Sequence, residues 1–178
     1  GSDLNPGDGR RPAPRGYDAQ SPEQRPGAWD PVRDMAMMGH NMKRFMKLWE
    51  CPKPVIAQMH GSALGGGTAL LLCADLIFMA EDAIIGYPPV RGMTPVDVLY
   101  HPWQMHQKKV RELLYTGDSV TGAEAVALGW ANRAVPVDQL SAVTEAFAER
   151  IANVDGPMLQ MTKRQVNRAY EIMGIRTA

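Results

Sequence analysis

A glycine-rich segment, Gly61-Ser62-Ala63-Leu64-Gly65-Gly66-Gly67-Thr68, follows the short apolar run Val55-Ile56-Ala57-Gln58-Met59 and leads into Ala69-Leu70-Leu71-Leu72. That order predicts a strand, a turn and the start of a buried helix. Glycine has no Cβ, so a ligand can approach such a turn closely. The first N–H groups of a helix have no intrahelical acceptor and sit at the positive end of its dipole. The guest that suits them is an oxygen carrying negative charge, either a phosphate or an oxyanion formed during a reaction. A ligand-free alternative stands beside these two: a tight turn where strand and helix pack closely.

Three nucleotide or nucleophile motifs fail on spacing. A phosphate-binding loop needs lysine followed by serine or threonine after its glycines, and Gly67 is followed by Thr68-Ala69. A dinucleotide fingerprint needs another glycine where Leu70 stands. A nucleophile elbow needs a residue between its first glycine and the serine, but Ser62 directly follows Gly61. The oxyanion alternative survives.

Composition narrows the class. The chain has 178 residues, with 19 basic and 19 acidic side chains. That length holds one domain with a substantial core, and the charge balance gives no nucleic-acid footprint. Cys51 and Cys73 fall in different predicted elements, which fits a reduced, cytosolic setting. No signal peptide opens the sequence. The longest apolar stretch, Ala69 to Ala80, is broken by Asp75 and is too short to span a bilayer. Twelve methionines on predicted helical faces read mainly as adaptable core.

Residues 5–30, rich in Pro, Gly, Arg and Asp, read as a mobile surface loop. Asp30-Pro31 is a helix start. Val32, Met35, Met38, Met42, Phe45, Met46 and Trp49 recur at helical spacing until Cys51-Pro52 ends the helix. Further strands are expected at 55–59, 76–80, 83–87 and 135–137, and helices over 68–73, 103–115, 138–153 and about 157–173. Thr121-Gly122-Ala123-Glu124 is a capping box opening another short helix that ends at Gly129. Strands alternating with helices, followed by helices alone, give an α/β core with a helical tail.

Pro54-Val55-Ile56-Ala57, Gly61-x-Ala63-Leu64-Gly65-Gly66-Gly67, Ala74-Asp75-Leu76, Ala80-Glu81-Asp82-Ala83 and Gly86-Tyr87-Pro88 together resemble the crotonase (enoyl-CoA hydratase/isomerase) superfamily. Glu112-Leu113-Leu114-Tyr115-Thr116-Gly117 and Ala123-Glu124-Ala125-x-x-Leu128-Gly129-x-x-Asn132-Arg133 resemble its helix-and-turn signature. The match is dense from residue 52 to about 140 and looser elsewhere. Gly1-Ser2-Asp3-Leu4 is similar to the family's Ala-Gly-x-Asp-Leu segment, whose x residue, Ser2 here, donates an oxyanion N–H, although Gly-Ser is also a common cloning scar.

The resemblance implies an α/β spiral of ββα units with a helical C-terminal region. It implies a fragment: a partial core over 1–135 and a partial C-terminal trimerisation region over 136–178. It further implies an acyl-coenzyme A thioester whose oxygen lies between the N–H groups of Ser2 and Gly66. Asp3, Leu4, Ala63, Leu64, Gly65, Tyr87 and Pro89 would line the substrate. Coenzyme A would enter as part of the substrate, with no separate cofactor and no metal. A cytoplasmic homotrimer or dimer of trimers, active in fatty acid metabolism, is the implied setting.

Two positions break the family pattern. The glutamates of a typical hydratase correspond to Ala69 and Pro89, and neither can hold a proton. Hydration needs a base and an acid, so ordinary hydration by that pair is unavailable. Isomerisation, or decarboxylation or hydrolysis of a β-oxo acid thioester, fits better. Asp97, eight residues after Pro89, matches an aspartate of a dienoyl-CoA isomerase subgroup and is the expected proton carrier. A loop carboxylate or helix cap is its plainer alternative. A non-catalytic acyl-CoA-binding or scaffold member of the same fold is the competing function.

Lesser candidates are weighed the same way. Tyr87 reads as aromatic packing near the pocket, and Tyr100 and His101 as loop residues before Pro102. His60 reads as packing, Glu81-Asp82 as a turn, and Arg10, Arg11 and Arg15 as a solvated loop. Asp75 interrupts apolar sequence, so it needs partners if buried.

Overall fold

The structure, a computed structural model, describes residues 31–92, 96 and 100–176. Helix α1 (Pro31–Glu50) is followed by β1 (Ile56–Met59), β2 (Ser62–Leu64), α2 (Gly66–Leu71), β3 (Leu76–Ala80) and β4 (Ile84–Gly86). After a 3-10 turn at Pro88–Arg91 come α3 (His101–Gln104), α4 (Gln107–Thr116), β5 (Ser119–Thr121), α5 (Gly122–Ala127) and β6 (Arg133–Val135). Helices α6 (Leu140–Ala152) and α7 (Gly156–Ile172) complete the chain.

The first four strands alternate between two sheets, ordered β1-β3-β6 and β2-β4-β5; β5 then stays in the second and β6 returns to the first. Strand β3 is parallel to β1 and β6, with Gln58 opposite Phe78 and Met79 opposite Ala134. In the other sheet β2 runs parallel to β4 and β5 antiparallel to it. The pairs β1–β2 and β3–β4 each deliver one strand to each layer before a helical turn begins, while β5 and β6 do so on either side of α5. The central strand β3 is buried from Ile77 to Ala80, as the apolar run Leu76-Ile77-Phe78-Met79-Ala80 requires for a strand covered on both faces. Leu72, Phe78, Met79, Ile85 and Leu140 form the innermost core.

The sequence expectations for α1, β1, β3, α6 and α7 match within a residue or two at each end. The capping box is also present: Glu124 N–H donates to Thr121 Oγ1 (3.3 Å) and Thr121 N–H to the Glu124 carboxylate (2.8 Å). Thr121 Oγ1 also donates to Glu124 Oε2 (2.9 Å), and the two bonds to the carboxylate, from Thr121 N–H and from Thr121 Oγ1, hold the Glu124 carboxyl below its ordinary range.

Four expectations need correction. Ser62–Leu64 is a strand rather than part of a turn, held by its pairing with β4. The helix after the glycines starts at Gly66, and Gly66, Gly67 and Leu70 are exposed, so it is not buried on all sides. Residues 103–115 do not form one helix; Met105 is extended, and the His106 ring caps a second helix. His101 and Tyr100 are buried rather than in a solvated loop. Expectations for residues 1–30, including the mobile loop, fall outside the described residues.

Candidate functional site

The glycine turn is built by two sheet layers meeting at one helix end. Gly65 caps α2 with φ 56° and ψ −115°, a left-sided conformation that glycine adopts at little cost. Its N–H donates to Gly86 O (3.1 Å), and its carbonyl accepts from Ala69 N–H (3.0 Å). The fully buried Thr68 hydroxyl lies 2.8 Å from Ala63 O and 2.6 Å from Gly86 O. Thr68 therefore ties the first turn of α2 to both β2 and β4. Gly86 itself must be glycine, since a Cβ there would overlap Ser119 on β5.

This bracing leaves the helix start open. The N–H groups of Gly66 and Gly67 belong to the first turn, where no intrahelical carbonyl can reach them. Neither has an acceptor among the described residues, and both glycines are exposed. No described side chain caps the helix. Fixed N–H dipoles that need no reorganisation are what a developing oxyanion requires.

The surroundings are apolar. Leu64 and Leu70 are exposed beside the turn, and Ala63 is half-buried on β2. Ala69 is buried in α2. Pro89 packs on Gly65, its Cγ 3.1 Å from where a Gly65 Cβ would stand. Thus Ala69 and Pro89 both adjoin the capping glycine. Tyr87, next to Gly86, is buried with its ring edge-on to His101 at 6.2 Å.

Of the expected site residues, Gly65, Gly66, Ala63, Leu64, Tyr87 and Pro89 gather around one helix terminus. Ser2, Asp3, Leu4 and Asp97 lie outside the described residues, as do Arg10, Arg11 and Arg15. His60 and the Glu81-Asp82 turn are exposed. No cluster of three metal-ligating side chains occurs among the described residues, and no described helix is long and apolar enough to cross a membrane.

Buried titratable groups cluster behind the turn. His101 is 1% exposed, and neither ring nitrogen has a hydrogen-bond partner among the described residues. Desolvation pushes its pKa down to about 4, so it is neutral at pH 7. Burial also raises the Tyr100 hydroxyl to about 12, with a smaller push from Cys73, and its O–H donates to Met46 Sδ. The Cys73 thiol is likewise raised to about 12 by burial. Asp75 does find partners: its Oδ2 accepts from Val55 N–H and from Lys163 Nζ, each at 2.6 Å. Sequence reasoning missed Lys163 because it lies 88 residues away on α7. It placed His101 in a loop rather than in the core because Tyr-His-Pro carries no apolar periodicity.

Comparison with known proteins agrees with this architecture. A family profile described as enoyl-CoA hydratase/isomerase matches residues 29–178. The Mycobacterium tuberculosis protein named "Putative enoyl-CoA hydratase EchA13" is 38% identical over 140 residues, 78% of this chain and 43% of that protein. The crotonyl-CoA hydratase of Syntrophomonas wolfei is 30% identical over 143 residues, 79% of this chain and 54% of its own. The crystal structure of an enoyl-CoA hydratase from Mycobacterium smegmatis superposes with a TM-score of 0.80 at 36% identity, covering 86% of this chain and 52% of that one. The chain spans about half the length of the curated relatives it matches. With this order of strands, glycine turn and helices, the chain belongs to the enoyl-CoA hydratase/isomerase family and has the crotonase fold.

Proposed function

We propose that the protein processes acyl-CoA thioesters by stabilising a thioester enolate at the glycine turn. The observation that carries this reading is the Gly66 N–H, which opens α2 without an acceptor among the described residues and beside an apolar wall. Removing a proton from the α-carbon of a thioester places negative charge on its oxygen. One preorganised N–H donor is worth about 3–4 kcal/mol to such a transition state. Ser2 N–H is the second donor in this reading, and Asp3, Leu4, Ala63, Leu64, Gly65, Tyr87 and Pro89 line the bound thioester. A matched relative named a crotonyl-CoA hydratase and another named a carnitinyl-CoA dehydratase, from Proteus mirabilis, support a coenzyme A thioester as substrate.

Ala69 and Pro89 direct the chemistry away from ordinary hydration, because neither side chain exchanges a proton. Asp97 is the proposed proton carrier, and isomerisation, decarboxylation or hydrolysis the proposed reaction type. The same two residues favour one competing reading, a fold member that binds acyl-CoA without converting it. The setting we infer is a cytoplasmic homotrimer or dimer of trimers.

Enolate formation is tested without knowing the net reaction. The protein is incubated with butyryl-CoA in D2O, and deuterium at the α-carbon is followed by NMR. Enzyme-dependent exchange is expected, and it should weaken in Asp97→Asn. Saturable binding without exchange supports the non-catalytic reading. Absence of thioester binding overturns both.

A further inference from the structure

A threonine inside a helix commonly turns its hydroxyl back onto the carbonyl four residues earlier. Thr116, Thr144 and Thr162 do so, at 2.9, 2.7 and 2.8 Å from Glu112 O, Leu140 O and Met158 O. Thr68 does not. Its fully buried hydroxyl reaches out of α2 to two strands of the second sheet, Ala63 O on β2 (2.8 Å) and Gly86 O on β4 (2.6 Å). One proton serves two carbonyls, so the hydroxyl donates to one at a time. Valine has nearly the same shape and no polar group to bury, so core packing alone does not require threonine here.

The peptide beside this tether has little restraint of its own. The Gly65 carbonyl and the Gly66 N–H share one planar unit and point opposite ways. Gly65, Gly66 and Gly67 carry no Cβ to limit its rotation. The Gly66 N–H is aimed out of the helix start while Gly65 O accepts from Ala69 N–H (3.0 Å). Ala69 directly follows Thr68 in the chain. On the other side of the peptide, Gly65 N–H donates to Gly86 O (3.1 Å). Gly86 O therefore receives both ends of the turn, one through Gly65 N–H and one through the Thr68 hydroxyl. Strand β5 holds that post in place, with Ser119 paired to Gly86 and packed against it.

We infer that Thr68 is a positioning residue for the oxyanion donor: its hydroxyl ties the first turn of α2 to β2 and β4, and so keeps the Gly65–Gly66 peptide from turning its N–H away from the thioester. The inference rests on the thioester reading above. It assigns the aim of the donor to a buried side chain that touches no substrate.

Titration of acetoacetyl-CoA tests the assignment. This β-oxo thioester ionises to an enolate whose near-ultraviolet absorbance reads the stabilised charge directly, with no proton carrier required. With the wild-type protein in excess it should ionise at lower pH than when free. Thr68→Val should reduce that gain in the ionisation constant about 10–100-fold. It should lower kcat for α-proton exchange of butyryl-CoA by a similar factor and leave KM unchanged. Thr68→Ser should restore both. Thr68→Ala should lose both as the valine variant does, because water can satisfy the two carbonyls but cannot tie them to α2; it also serves if the valine variant does not fold. Thr144→Val, which removes a buried hydroxyl away from the turn, should change neither. Wild-type protein that does not favour the ionisation overturns the thioester reading and this inference with it. A wild-type gain that Thr68→Val and Thr68→Ala keep in full, or that Thr144→Val loses as deeply, overturns this inference alone.

Discussion

Two buried polar clusters in this molecule treat their atoms in opposite ways. Around Lys163 every donor is spent: Nζ reaches Leu48 O (3.2 Å), Lys53 O (3.1 Å) and Asp75 Oδ2 (2.6 Å), which accounts for all three ammonium protons. Around His101 and Trp130, whose rings lie 5.5 Å apart, none of the three ring nitrogens has a partner among the described residues. The first cluster joins α7 to the end of α1 and the start of β1, and its worth is in holding elements together. The second costs free energy in its polar atoms and is retained through the aromatic surface it buries. Burial alone therefore does not say whether a polar group stabilises the fold; its partners do.

Breaking the satisfied cluster should have the largest effect. Lys163→Ala strands the Asp75 carboxylate and two carbonyls, and should cost about 3–5 kcal/mol, read as a lower denaturation midpoint in urea. Pairing Lys163→Met with Asp75→Asn should recover part of that loss, because the uncompensated charge is gone. If the single and double variants lose equally, the ion pair is not what holds the clasp.

The unsatisfied cluster predicts an acid-sensitive fold. His101 has a folded pKa of about 4 against 6.5 when free. Between those values the unfolded chain takes up a proton that the folded chain refuses. Stability from this group is therefore fully present above pH 6.5, declines as pH falls, and is lost by about pH 4. The total is up to about 3 kcal/mol. His101→Phe should flatten that part of the stability–pH curve. A wild-type curve that is flat between pH 6.5 and 4 would contradict the burial of an unpartnered imidazole. The smallest effect belongs to the edge of the clasp: Asn167→Ala removes one bond to Trp49 O and should cost about 1 kcal/mol.

How far the sequence reached follows from where its signals are local. The end of α1 at Glu50, just before Cys51-Pro52, and the Thr121–Glu124 box are written in neighbouring residues and were legible. So was the family, from many short motifs in order. Strand β2 was not, because three residues between glycines carry no periodicity; its existence depends on pairing with Ile84–Gly86. The break between α3 and α4 was hidden because Trp103 to Tyr115 keeps helical composition through the extended Met105. At the site, the glycines that open the helix were plain. The bracing of the turn by Thr68, through Ala63 O and Gly86 O, required the second sheet.

The most direct measurement is α-proton exchange of butyryl-CoA by Gly66→Pro. Proline deletes the N–H and is otherwise tolerated at the first position of a helix, so the melting temperature checks that the fold survives. Loss of the donor should slow exchange about 10²–10³-fold with thioester binding largely kept. Exchange at the wild-type rate in a folded Gly66→Pro protein would contradict the claim that this peptide N–H stabilises an enolate.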